Sequence, residues 1–165
     1  MPIVREMKLQ DIPAVYKIEC ECFHSPWSRF SLLKELTNEI AYYYVVIEDD
    51  AVAAYTGMWV LFDEAHVTNI AVSPGYRRRG FSKLLMIRMM QKAVELGADK
   101  MTLEVRETNT VAQNLYAGFG FYQNGFRPKY YDDTGEGALI LWNDTISDTL
   151  EKMGDKPSFK EESES

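Results

Sequence analysis

Two sets of residues in this sequence have types and spacing suited to chemistry. The first is the run Tyr76-Arg77-Arg78-Arg79-Gly80-Phe81-Ser82-Lys83, which leads into an apolar segment of helical period. Cationic side chains and free backbone N–H groups at a helix start form an anion site. A glycine at position 80 lets a pyrophosphate approach the backbone without meeting a side chain. The second set is a carboxylate, Glu104, at the end of an expected strand, and a phenol, Tyr116, about two turns into the helix expected after it. Both can face one cleft. Each set also has a plainer reading: the arginines as a solvated basic patch or an RNA contact, Glu104 as a surface strand end, and Tyr116 as a core tyrosine with a satisfied hydroxyl.

The elements that must position these residues follow from hydrophobic period and turn chemistry. Ile3 to Met7 reads as a first strand. Asp11 is placed to cap a helix running to about Cys22, and Ser28 to cap a second through Phe30, Leu33 and Leu36. Ala41 to Ile47 and Ala51 to Leu61 are β-branched and aromatic runs separated by Glu48-Asp49-Asp50, so they form a hairpin. His66 to Val72 is the next strand and ends at Ser73-Pro74-Gly75. Leu84, Leu85, Met89, Ala93 and Leu96 then recur at helical spacing, with Gly97 as the stop. Met101 to Val105 is a strand, Asn109 to Ala117 a helix, and Phe121 to Phe126 and Ala138 to Trp142 the last strands. The order is β-α-α-β-β-β-α-β-α-β-β.

Composition bounds the rest. The chain has 165 residues, 46% of them apolar and 26% charged, the balance of a soluble globular domain. No apolar run approaches the roughly 18 residues that span a bilayer, and the N-terminus lacks a signal pattern, so a cytoplasmic protein without a membrane partner is expected. Cys20 and Cys22 point to different faces of a helix and are expected to be reduced thiols; two histidines and no CxxC pair give no support for a metal site. Seven of the acids and three of the lysines fall between 144 and 165, leaving a mildly acidic body of formal charge −3 from a total of −7. That balance argues against general nucleic-acid binding and suits cationic substrates such as amines. A domain over 1–143 is expected, with 144–165 as an acidic, disordered tail.

With these elements in place, Asn69-Ile70-Ala71-Val72 through Lys83-Leu84-Leu85 resembles the acetyl-CoA-binding motif of the GCN5-related N-acetyltransferase (GNAT) superfamily, usually Gln/Arg-x-x-Gly-x-Gly/Ala. Arg77 and Gly80 match, while Ser82 stands where Gly or Ala is commoner. Phe23-His24-Ser25-Pro26-Trp27-Ser28, Leu103-Glu104-Val105-Arg106, Asn109, Leu115-Tyr116, Gly118-Phe119-Gly120-Phe121 and Tyr130-Tyr131 are similar, in order and spacing, to the bacterial ribosomal-protein alanine acetyltransferases. The resemblance covers about residues 3 to 142.

It implies an α/β fold with a mixed, mostly antiparallel sheet, splayed at its middle strands and flanked by helices. It implies acetyl-CoA as cofactor, with Ile70, Ala71 and Val72 pairing with the pantetheine arm, and a backbone N–H of Val72 on the thioester carbonyl. Arg77, Arg78, Arg79, Gly80, Phe81, Ser82 and Lys83 belong to the pyrophosphate site, and Asn109 contacts the cofactor beyond the splay. Glu104 is implied as general base, directly or through a water, and Tyr116 as general acid. Trp27, Tyr130 and Tyr131 flank the acceptor cleft, Trp27 serving equally well as a core anchor; Asp132 and Asp133 beside the tyrosines suit a cationic N-terminus. The implied acceptor is the N-terminal alanine of a small-subunit ribosomal protein. Lysine or small-molecule amines, or a non-catalytic acyl-CoA-binding module, are the alternatives. An α-amine, with a pKa near 8 against about 10.4 for lysine, needs roughly 3 kcal/mol less for deprotonation and suits a single carboxylate base.

Overall fold

The run Tyr43-Tyr44-Val45-Val46 is buried at every position, so the strand that carries it is covered on both faces. A computed structural model, describing residues 1–153 and 160–161, shows how. The chain runs β1 (Ile3–Glu6), α1 (Ile12–Cys22), α2 (Arg29–Glu35), β2 (Ala41–Glu48), β3 (Ala51–Leu61), β4 (Glu64–Val72) and α3 (Phe81–Glu95). It continues through β5 (Lys100–Arg106), α4 (Thr110–Gly118), β6 (Tyr122–Arg127), β7 (Ala138–Asn143), α5 (Ile146–Lys152) and β8 (Lys160–Glu161). Side chains alternate across a strand. Tyr44 and Val46 accordingly join a core with Leu85 and Met89 of α3, whereas Tyr43 and Val45 pack with Val15 and Ile18 of α1 and Leu32 of α2.

The sheet order is β6-β7-β5-β4-β3-β2-β1-β8. Neighbours are antiparallel except β4 with β5 and β1 with the two-residue β8. β4 and β5 pair at Glu64 with Lys100, Ala65 with Met101 and His66 with Thr102. Past those rungs β4 pairs with β3 alone and β5 with β7 alone, so the middle of the sheet opens into a wedge, the expected splay.

A bulge shapes one wall of the wedge. Gly57 of β3 opposes Asn69 and Met58 opposes Val67, which leaves Thr68 as the extra residue of β4. Such bulges re-aim side chains. Gly57 is required by packing: a Cβ there would lie 2.3 Å from the Tyr43 ring, whose hydroxyl reaches Thr68 Oγ1 at 3.1 Å.

Local signals act largely as expected. Ser28 accepts a hydrogen bond from Ser31 N–H, and Gly97 ends α3 at φ 93°. Asp11 departs from expectation. A 3-10 turn precedes α1, and the Asp11 carboxylate folds back to accept Lys8 N–H at 2.7 Å and two bonds from Arg5 at 2.6 and 2.8 Å. The expected tail is also corrected over its first part: 146–152 forms α5, with Ile146 fully buried and Leu150 packed on the core. Two apolar residues four apart make a helical face that suffices for docking despite polar neighbours. Of the rest of the tail, 154–159 and 162–165 lie outside the described residues. Among the described residues, no helix is long and apolar enough to cross a membrane.

Candidate active site

The anion-site residues sit where β4 gives way to α3. Arg78 has φ 65° and Gly80 φ 78°, so left-handed residues alternate with ordinary ones and curl successive N–H groups inward. The N–H groups of Phe81, Ser82 and Lys83 open a helix of 15 residues and lie in the turn that lacks helical acceptors. A Cβ on Gly80 would meet no protein atom within 4 Å; the glycine is demanded by its backbone angle and faces open space. Phe81 is buried and can offer only its backbone. The Arg79 guanidinium lies 5.0 Å over the Tyr76 ring, which stacks on Phe81. Arg77 stands apart from this loop. Its Nε donates to the Val72 carbonyl at 3.3 Å and its guanidinium reaches Cys22 Sγ at 3.5 Å, anchoring the end of β4.

The β4 backbone is divided between two tasks. Ser73 N–H donates to Ala53 O at 2.9 Å, and Ala53 and Ser73 are in register with the β3–β4 ladder. By the alternation of an antiparallel ladder, Ala71 then turns its polar groups to β3, while Ile70 and Val72 direct theirs into the wedge. The Val72 carbonyl carries Arg77 and Cys22, which leaves its N–H for a ligand. Of the expected trio, Ile70 and Val72 present backbone to the gap and Ala71 does not.

Between the diverging strands lies a cleft of about 380 Å³, walled by Val67 to Ile70 of β4 and Leu103 to Arg106 of β5. Glu104 and Tyr116 both line it, together with Asn109, Trp27, Tyr130 and Tyr131. Asn109 caps α4, its Oδ1 accepting Ala112 N–H at 3.1 Å. Trp27 packs against the core beside α1 and α2 and also lines the cleft. Tyr116 is 5% exposed, and among the described residues its hydroxyl has no hydrogen-bond partner. Burial pushes the Tyr116 phenol well above its ordinary range, so it holds its proton. Tyr131 is pushed up to about 12, again chiefly by burial.

Arg106 pins the β6–β7 loop over this cleft. Its guanidinium makes two bonds to Asp133, at 3.0 and 2.8 Å, and one to Glu136 at 3.2 Å, and it lies 4.0 Å over the Tyr131 ring. Asp132 and Asp133 both line the cleft, and Asp133 is committed to Arg106 within the protein. Tyr130 meets Tyr131 edge to face at 5.0 Å.

Two further residues belong to the site and were not singled out from the sequence. His66 Nε2 lies 2.8 Å from Glu104 Oε2. Burial raises the Glu104 pKa, but the His66 hydrogen bond and charge, with Arg127, outweigh it and hold the carboxyl below its ordinary range. Glu104 is thus ionised and oriented. Glu19 of α1 also lines the cleft, 1% exposed, with its pKa raised by that burial against the opposing pull of Trp27 N–H and Asn69. Neither residue stands in a local motif; both are recognisable only once β4 lies between α1 and β5.

The sequence profile of the Acetyltransferase (GNAT) family matches residues 12–121. A putative ribosomal protein bS18-alanine N-acetyltransferase of Bacillus subtilis (strain 168) is 43% identical over 84% of this chain and 93% of its own length. The ribosomal protein bS18-alanine N-acetyltransferase of Haemophilus ducreyi is 34% identical over 80% of this chain and 92% of its own. Among solved structures, the ribosomal-protein-S18-alanine N-acetyltransferase from Escherichia coli superposes with a TM-score of 0.80 at 30% identity, covering 86% of this chain and 92% of that one. The chain belongs to the acetyltransferase (GNAT) family, and it is an N-acetyltransferase.

Proposed function

We propose that this enzyme transfers acetyl from acetyl-CoA to the N-terminal amine of a protein, with the N-terminal alanine of ribosomal protein bS18 as acceptor. The observation that carries this reading is the single cleft, at the open end of the β4–β5 wedge, into which an ionised Glu104 and a protonated Tyr116 both face. The acceptor follows the relatives named above, which align over most of their length.

The residues present fit acetyl-CoA. Ile70 turns its backbone toward an extended arm and Val72 offers its N–H, so the arm would lie as an added strand. The loop at 78–83 offers curled N–H groups, a helix N-terminus and cationic side chains to a pyrophosphate. When bound, acetyl-CoA supplies an acetyl thioester. The Val72 N–H is placed to donate to a carbonyl in the wedge.

Proton movement sets the roles of the other two groups. An α-amine of pKa near 8 is about one-tenth neutral at pH 7, and that fraction is the nucleophile. Glu104, a weak base held below its ordinary pKa, takes the amine proton as the N–C bond forms and the nitrogen becomes acidic. Tyr116 gives its proton to the departing sulfur as the C–S bond breaks. Burial keeps the Tyr116 phenol protonated until a sulfur anion develops beside it, and burial would disfavour that free thiolate as well.

The test is a comparison of peptides in an assay for coenzyme A release. A peptide with a free N-terminal alanine is expected to turn over at least tenfold faster than the same peptide with a blocked N-terminus and an internal lysine. Equal rates would remove the N-terminal assignment.

A further inference from the structure

Along one wall of the acceptor cleft a chain of buried and part-buried polar groups joins five segments: α1, the Trp27 loop, β2, β3 and β4. Glu19 Oε2 accepts Trp27 N–H at 3.0 Å, and Oε1 accepts Asn69 Nδ2 at 3.0 Å and the Tyr55 hydroxyl. Asn69 Nδ2 also lies 3.0 Å from the Tyr55 hydroxyl. Thr68 Oγ1 donates to Asn69 Oδ1 at 2.8 Å, which uses its one proton, so Tyr43 is the donor in its 3.1 Å bond to Thr68. Every hydrogen bond therefore runs toward Glu19, which accepts three and donates none. Burial works against the charge on Glu19, and the bonds from Trp27 N–H and Asn69 work for it. Glu19 and Tyr55 are 1% and 0% exposed.

Its placement ties this network to the acceptor rather than to the cofactor loop. Glu19, Trp27, Thr68 and Asn69 all line the cleft that holds Glu104 and Tyr116. The loop carrying Trp27 is fastened at its backbone to Glu19, and Glu19 is fastened through Asn69 to the bulge of β4, two residues from His66 and across the wedge from Glu104.

We propose that Glu19 is a positioning residue for the acceptor: its buried carboxylate clamps the Trp27 backbone to the Thr68–Asn69 bulge and so sets the width of the acceptor cleft. The proposal rests on the reading that this cleft takes the amine acceptor. It assigns to a residue outside the loop at 78–83 a selective effect on acceptor affinity. Glu19→Gln keeps shape but turns an NH₂ group against Trp27 N–H or against Asn69 and Tyr55, which breaks the clamp. Tyr55→Phe removes one donor and leaves the carboxylate.

The experiment measures KM for acceptor, KM for acetyl-CoA and kcat separately, with whichever amine the wild-type enzyme acetylates; failure of the alanine assignment is therefore read from wild type alone. Glu19→Gln is expected to raise the acceptor KM tenfold or more, with KM for acetyl-CoA and kcat each changed less than threefold. Tyr55→Phe is expected to raise the acceptor KM about threefold in the same pattern. In a Glu19→Gln background, Trp27→Ala is expected to add little to the acceptor KM, because the loop is already released. An unchanged acceptor KM overturns the proposal, as does a rise in both KM values together. If Glu19→Gln does not fold, Tyr55→Phe decides by the same criteria.

Discussion

The loop at 78–83 and the acceptor cleft are built from different materials. The loop consists of backbone held in unusual angles, Arg78 and Gly80 both left-handed, with its arginines exposed. The cleft is walled by side chains bonded across long separations: Asn69 to Glu19 over 50 positions, His66 to Glu104 over 38 and Arg106 to Asp133 over 27. An anion can be held by N–H groups that any sequence possesses, provided the backbone curls correctly. An amine acceptor needs particular carboxylates and aromatics at set distances, and those come from elements that meet only in the folded chain. Loss of function on the two sides should therefore look different, one through backbone conformation and the other through side-chain chemistry.

The largest separation between them is expected from Glu104→Gln, which should lower kcat about 10²- to 10⁴-fold while leaving acetyl-CoA affinity, measured by calorimetry, nearly intact. A fall of less than threefold would withdraw the base role. Gly80→Val should act on the opposite side. A β-branched residue resists φ 78°, a strain of order 1–2 kcal/mol, so KM for acetyl-CoA is expected to rise about tenfold with the acceptor KM unmoved. If both KM values rise, the division between the two regions does not hold. The smallest effect is assigned to His66→Ala. His66 holds the Glu104 pKa down against burial, so its removal should carry the acid limb of kcat/KM to higher pH, with little change at neutral pH where Glu104 stays ionised. A pH–rate series that shifts downward, or not at all, would separate His66 from Glu104 in function.

The same division governs how much was legible in the sequence. Gly80, Gly97 and the Ser28 cap act within a few residues of themselves, so their meaning is local and was readable. The helical period of α3 marked its buried face for the same reason. Glu104 and Tyr116 were traced by resemblance, with the spacing of one strand and the next helix in support. Glu19 and His66 were not, since each acquires its partner from a distant element. Asp11 misled because a side chain that can cap a helix can equally cap the turn before it. α5 was lost in the average polarity of its surroundings, where Ile146 and Leu150 carry the packing. Asp133 was read by its charge, and that charge is answered by Arg106 within the chain.

The three rungs that join β4 to β5 have one more consequence. Where they stop, two strands run on with one flank unpaired, yet these are not the outer margins of the sheet. Exposed strand margins invite other sheets to add to them, and proteins usually blunt them with charge, proline or a covering segment. Here the vulnerable flanks face each other across a narrow interior slot closed at one end. A single extended chain can slide into it; the broad margin of another sheet cannot. Those two flanks thus keep backbone available for a guest without themselves offering a template for self-association.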